Sequence, residues 1–273
     1  MTAAHPARHY LPTLGLQLWT VRRELERDIP GTLRAIAQAG YAQIELQNLA
    51  NVHAIARLAR ELGLGLTSAF LDWTALAQPG PAADAELVRT LALARELNLR
   101  YLVFGYLGKG GRETITQMRA HAAAANAFGR RCRDAGIQLC YHHHAFEFAP
   151  LDDGRTTGWD ILLRDFEPDL VQFEFDVFWA AAGGLDPVQT LHDLRGRIAQ
   201  VHLKDLPAGT PRLWDEHAVP PETFQEIGRG CLDWTRILAA CVATGVAQCH
   251  VEQDESPDPL ASIRQSIDWL RRH

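Results

Sequence analysis

A chain of 273 residues, 47% of them hydrophobic and 22% charged, has enough material for one large core or two small ones. A formal net charge of −6 leaves no basic footprint for a nucleic-acid backbone, which needs clustered positive charge. Five scattered cysteines without a CxxC pair read as reduced thiols. The opening MTAAHPARHYLPT lacks the apolar stretch of a signal peptide, and no apolar run approaches the ~20 residues of a membrane span, so the expected location is the cytoplasm.

Residues up to about 12 read as a loose lead-in. Residues 14–18 (LGLQL) predict a strand, and WTVRRELERD follows. Pro30 stands where a helix can begin, GTLRAIAQAG has apolar residues at helical spacing, and Gly40 stops it before the strand at 42–46. The unit then recurs. A helix ends at Gly63 before a strand at 65–71, and DAELVRTLALARELN precedes a strand at 100–105. A long helical stretch from about residue 112 stops at Gly136 before a strand at 137–144. Further strands are predicted at 170–176, 198–203 and 248–252, and a helix closes the chain. Glycine suits the stops because the residue after a helix often turns left-handed. Strict alternation argues for a parallel sheet, and eight units in this length match a (β/α)8 TIM barrel. A doubly wound open sheet is the alternative, although no G-x-G-x-x-G follows the first strand. The irregular stretch 207–221 is the expected lid.

The last four strands each finish in carboxylates or histidines, and in a barrel all strand carboxyl ends meet on one face. Asp176, His202 and Glu252 would converge there. Carboxylate oxygens and imidazole nitrogens, three or four together, are what a hard or borderline divalent cation selects; an ordinary ion-paired set is the competing reading. Strand five runs into Tyr141, His142, His143 and His144. Alternate residues of a strand face opposite ways, so His142 and His144 share one side and His143 takes the other. Glu147 lies just beyond, either turned inward by the loop or solvated. Lys204 follows His202 by two and faces the same side, as a point charge for a substrate oxygen or as the partner of Asp205 or another carboxylate. Gln17, Trp19 and Arg22 lie near the mouth, and Glu45 ends the second strand. Trp19, Phe178 and Trp179 either stack on a substrate or fill the core. No nucleophile elbow or phosphate loop is present.

Six stretches carry a resemblance: GLQLWTVR at 15–22, YHHHAFEF at 141–148, FDVFWAAAGGLDP at 175–187, VHLKD at 201–205, EIGRGCLDW at 226–234 and VEQDES at 251–256. Together they resemble the xylose isomerase-like TIM-barrel superfamily, in its sugar phosphate isomerase/epimerase branch, from the first strand to the last. The resemblance implies a single barrel domain over residues 1–273. It also implies one divalent ion, with manganese favoured and magnesium, cobalt, zinc or iron as alternatives, held by Glu, Asp, His and Glu from strands five to eight. Asp176, His202 and Glu252 match three of these. For the fourth, Glu147 is the nearest carboxylate and His142 or His144 the competitor. The epimerases carry a histidine three residues after the strand-six aspartate; here that position is Trp179.

The expected activity is that of a metal-dependent sugar isomerase or epimerase, which removes a proton next to a carbonyl through a metal-stabilised enediolate. Glu252 is the first choice of acid/base group and Glu147 the second, with Lys204 completing the catalytic set. Gln17, Trp19, His142, His144, Phe178, Trp179 and Lys204 form the expected substrate wall. A keto-sugar dehydratase or lyase and a non-catalytic sugar-binding barrel are the alternatives. A superfamily endonuclease would need more ligands and a basic groove. The expected partner is a small sugar or keto-sugar, with no nucleic acid and no membrane; a homo-oligomer is left open.

Overall fold

The computed structural model describes residues 6–77 and 80–273. Eight parallel strands close into a barrel in chain order. They are β1 Gly15–Gln17, β2 Gln43–Leu46, β3 Gly65–Phe70, β4 Tyr101–Phe104, β5 Gln138–His142, β6 Val171–Asp176, β7 Ile198–Leu203 and β8 Gln248–Val251. Each falls inside the stretch expected for it, and the pairing of β8 with β1 rules out the open doubly wound sheet.

Helices fill the connections because their apolar faces need the outside of the sheet. In Ile29–Ala39 the buried residues Thr32, Leu33, Ile36 and Ala39 recur at helical spacing, and Asp28 caps the start by accepting the Gly31 N–H. Gly40 then takes φ 97°, as a helix stop requires. The lead-in is more ordered than expected. A helical turn, Ala7–Tyr10, buries Tyr10, whose hydroxyl donates to the Val246 carbonyl at 3.0 Å. The first five residues of that stretch lie outside the described residues. Among the described residues, no helix is long and apolar enough to cross a membrane.

The two faces of the strands have different chemistry. Leu139, Tyr141, Phe173, Phe175, Val201, Leu203, Cys249 and Val251 join the main apolar core. Their alternate neighbours, His142, Glu174, Asp176, Gln200, His202, His250 and Glu252, are buried and polar. The period of two places this second set in the lumen. Deep in the lumen the Thr67 hydroxyl lies 3.0 Å from Gln43 Oε1 and 3.1 Å from Gln248 Oε1. Hydrogen bonds of this kind offset part of the cost of burying polar groups in the lumen.

Register brings the chemistry into line. Gln17 pairs with Glu45, His142 with Glu174, Asp176 with His202, and His202 with His250. Register shifts fall at Ile44/Glu45 and Phe173/Glu174, each directly before a lumen carboxylate; bulges commonly re-aim side chains in this way. A side chain on Gly15 would collide with the His250 ring, so the missing Cβ makes room for that histidine.

After β7 the chain is irregular up to the helix Trp234–Thr244. Asp205 organises it, accepting the N–H groups of Leu206, Gly228, Gly230 and Leu232 and the Trp234 indole N–H at 2.7 Å. This segment also reaches the loop after β4. Arg112 meets Glu216 at 2.6 Å, Lys109 meets Asp215 at 3.0 Å, and Tyr106 bonds His217 at 3.0 Å.

Candidate active site

Asp176, His202, Glu252 and His142 offer ligand atoms that all lie within 4.8 Å of one another, and all four are buried. The set combines two imidazoles and two carboxylates, suited to a borderline divalent cation. Asp176 ends β6 and caps the helix Val177–Gly183, with Oδ1 accepting the Trp179 N–H at 2.9 Å. Its other oxygen, Oδ2, makes no hydrogen bond although buried; the Lys204 ammonium stands 3.2 Å away. His142 Nδ1 is likewise buried without a hydrogen bond. A buried carboxylate oxygen with a lone pair free of hydrogen bonds, such as Asp176 Oδ2, is what a cation site needs.

His202 bridges two layers of the lumen. Its Nδ1 lies 3.1 Å from Glu252 Oε2 and 3.9 Å from Asp176 Oδ2, while its Nε2 lies 2.7 Å from Glu45 Oε2 and 3.2 Å from Glu174 Oε2. Burial alone would drive its proton off, but the charges of Glu174, Glu252 and Glu45 hold the ring protonated well above the ordinary range. His142 goes the other way: burial, then the nearby positive His202, keep it neutral. Glu174, Glu45, His202 and His250 form a second close group below.

Lys204 is buried and faces three carboxylates, with Nζ 2.7 Å from Glu252 Oε2, 2.9 Å from Asp254 Oδ2 and 3.2 Å from Asp176 Oδ2. Burial works against its charge, but Asp176, Asp254 and Glu252 outweigh it and keep the ammonium. In turn burial would raise the Glu252 carboxyl, yet Lys204 and His202 hold it below the usual carboxylate range. Burial pushes Asp254 up to about 7. Asp205, one expected partner of Lys204, bonds the loop amides instead.

Strand five resolves in an unexpected way. β5 ends at His142, and His143 turns outward against Phe148, Trp159 and Phe175 while its Nε2 accepts the Asp176 N–H. His144 is half-buried beside His142 and Trp179, with ring centroids 5.0 and 5.3 Å away. Glu147 is buried, but its carboxylate accepts the Tyr141 hydroxyl at 2.6 Å and the His144 N–H at 3.0 Å. It belongs to neither close ligand group, whereas His142 does. Burial pushes its carboxyl up to about 8, despite the Tyr141 bond.

The aromatic wall faces Lys204. The ammonium lies 5.5 Å from the Phe178 ring, 5.4 Å from Trp179 and 5.9 Å from Phe224. Trp19 is 46% exposed with the Arg22 guanidinium 4.2 Å over its ring. Gln17 is bonded within the protein: its Oε1 accepts the Trp19 N–H and its Nε2 donates to Glu45 at 3.0 Å. Three residues of this site, Glu174, His250 and Asp254, were not picked out from the sequence. The signal for the first two was present, since they precede Asp176 and Glu252 by two and so share their strand faces.

A sequence profile described as a xylose isomerase-like TIM barrel matches residues 33–273. The chain is 32% identical over 155 residues to an inosose dehydratase of Geobacillus kaustophilus, covering 52% of this chain and 49% of that one. It thus spans about half the length of that relative. It is 27% identical over 275 residues to the rhizopine catabolism protein MocC of Rhizobium meliloti, covering 91% of this chain and 83% of that one. A sugar phosphate isomerase/epimerase from Parabacteroides distasonis has the same fold, with a TM-score of 0.80 at 21% identity over 96% of this chain and 98% of that one.

Proposed function

The chain belongs to the xylose isomerase-like TIM-barrel family, and from that premise we propose that it is a divalent-metal enzyme that removes a proton beside the carbonyl of a sugar-like polyol and then expels water. His142, Asp176, His202 and Glu252 would hold the ion. A bound cation would polarise the carbonyl and make the neighbouring C–H acidic.

The observation that carries the reading is the buried contact of 2.7 Å between Lys204 Nζ and Glu252 Oε2. Glu252 is ionised and Lys204 protonated, so a base and an acid stand side by side. Glu252 takes the proton from carbon. The bond from the next carbon to its hydroxyl breaks, and Lys204 protonates the departing oxygen, which leaves as water. The proton on Glu252 then passes back across the same hydrogen bond to Lys204, restoring both groups. Asp176 and Asp254 keep the lysine in place, and Phe178, Trp179 and Phe224 limit water around it.

Dehydration and epimerisation share the first step. Epimerisation needs a second group on the opposite face of the carbon, and an acid adjacent to the base serves elimination better. The inosose dehydratase relative supports this choice, and the fold shared with the isomerase/epimerase keeps epimerisation as the second reading. The scattered free cysteines suit a reducing compartment, and the cytoplasm is the location this reading expects.

The test uses manganese-loaded protein with cyclic and linear polyol ketones in deuterated water, followed by NMR. At least one ketone should take up deuterium beside the carbonyl and lose water. Glu252→Asp should slow exchange on the order of 100-fold, since about 1 Å of displacement can cost that much. Lys204→Met should retain exchange and lose elimination. Exchange with inversion and no water loss would return the reaction to epimerisation, and no exchange with any ketone would sink both readings.

A further inference from the structure

We propose that Glu45 is a positioning residue for the ion site: bonded to Nε2 of His202, it fixes which ring nitrogen faces Asp176 and Glu252. This rests on the ligand reading above and goes past it, because Glu45 lies on β2, away from the four ligand-bearing strands.

Glu45 is fully buried and its carboxylate is held from several sides. Oε2 accepts from Gln17 Nε2 at 3.0 Å and from His202 Nε2 at 2.7 Å, and Oε1 accepts the Ser68 hydroxyl. Ser68 is in turn held by Gln200 Nε2 at 3.0 Å, and the same nitrogen bonds Glu174 Oε1 at 3.0 Å. The anion is therefore anchored through β1, β3 and β7 before it touches the histidine. Three donors and no solvent leave it no alternative orientation. With the Gln17 amide and the Ser68 hydroxyl already donating to it, the carboxylate accepts from His202 Nε2 at 2.7 Å, so that nitrogen keeps its proton and Nδ1, facing Asp176 and Glu252, is the one a cation would take in place of a proton.

Glu45, Glu174, His202 and His250 are also close enough to suggest a second cation cage. The bonding argues otherwise. The Nε2 that would serve it is already donating, and the Glu45 oxygens already accept three bonds. A partner of this kind behind a ligating histidine typically governs about 10- to 100-fold in metal affinity.

Manganese binding is measured by calorimetry on wild type, Glu45→Gln and Ser68→Ala. Wild type should bind one ion, Glu45→Gln should bind about 10- to 100-fold more weakly, and Ser68→Ala should stay within about threefold because the His202 contact remains. Ring-nitrogen NMR of zinc-loaded wild type, with His202 assigned from His202→Asn, should show Nε2 protonated and Nδ1 bound to metal. The ring spectrum decides the matter even where Glu45→Gln does not fold. Metal on Nε2, two ions per chain, or unchanged affinity in a folded Glu45→Gln would overturn the proposal and leave the ion site standing. A folded wild type that binds no manganese or zinc would instead overturn the ligand reading.

Discussion

At strand five, His142 and Glu147 compete for one ligand place, and the outcome turns on where each side chain is already committed. Glu147 has its oxygens on Tyr141 and on the His144 amide, while His142 reaches Asp176, His202 and Glu252. His142→Ala should therefore weaken manganese binding by at least about tenfold, and Glu147→Gln should change it by less than about threefold, with titration of metal into the purified variants as the measure. Glu147 should show itself through pH. Its carboxyl sits at about 8 in the fold, against an ordinary 4.5. Between those values the folded chain holds a proton that the unfolded chain has released, so stability falls as pH rises across the window and levels off above about 8. Urea unfolding at both ends of the window should show a loss in wild type exceeding that of Glu147→Gln by on the order of a few kcal/mol. Equal losses would mean the carboxyl titrates normally.

Among elements, the loop after β4 and the long segment after β7 are joined to each other by their side chains. They meet through one buried ion pair, Arg112–Glu216, and one exposed pair, Lys109–Asp215. Arg112 also donates to the Leu107 carbonyl at 2.8 Å and lies 3.6 Å over the Phe146 ring. Breaking a buried pair strands the remaining charge, whereas an exposed pair is screened by water. Glu216→Gln should cost about 3–5 kcal/mol, and Asp215→Asn less than about 1 kcal/mol, by chemical denaturation. Near-equal costs would show that the buried pair is not what joins the two segments.

For the whole molecule, ion binding and folding should be linked, because the four proposed ligands come from four strands, or the residue just past one, that converge only when the barrel closes. Manganese at about 100 times its dissociation constant should stabilise the fold by about 2.7 kcal/mol and raise the melting temperature by several degrees. A chelator should reverse the shift, and no shift at saturating metal would place the ion outside the folded barrel.

Much of this could be read from the amino-acid order alone. The strands, their alternation with helices and the polar strand ends follow from local periodicity, which depends on backbone geometry within a few residues, while closure into a barrel was decided by the pairing of β8 with β1. Period two also carried the signal for Glu174 beside Asp176 and for His250 beside Glu252, although neither residue was singled out. What periodicity could not decide lies past the strand ends or across the lumen. Glu147 is steered by Tyr141 and the turn at His144, Asp205 by amides more than twenty residues on, and Lys204 by carboxylates about fifty residues away. Only the closed barrel brings Glu45 behind His202, 157 residues apart in the chain. A strand's parity determines which side a residue faces, but its partner there is set by barrel register and by the path of the loops, and both depend on contacts distant in sequence.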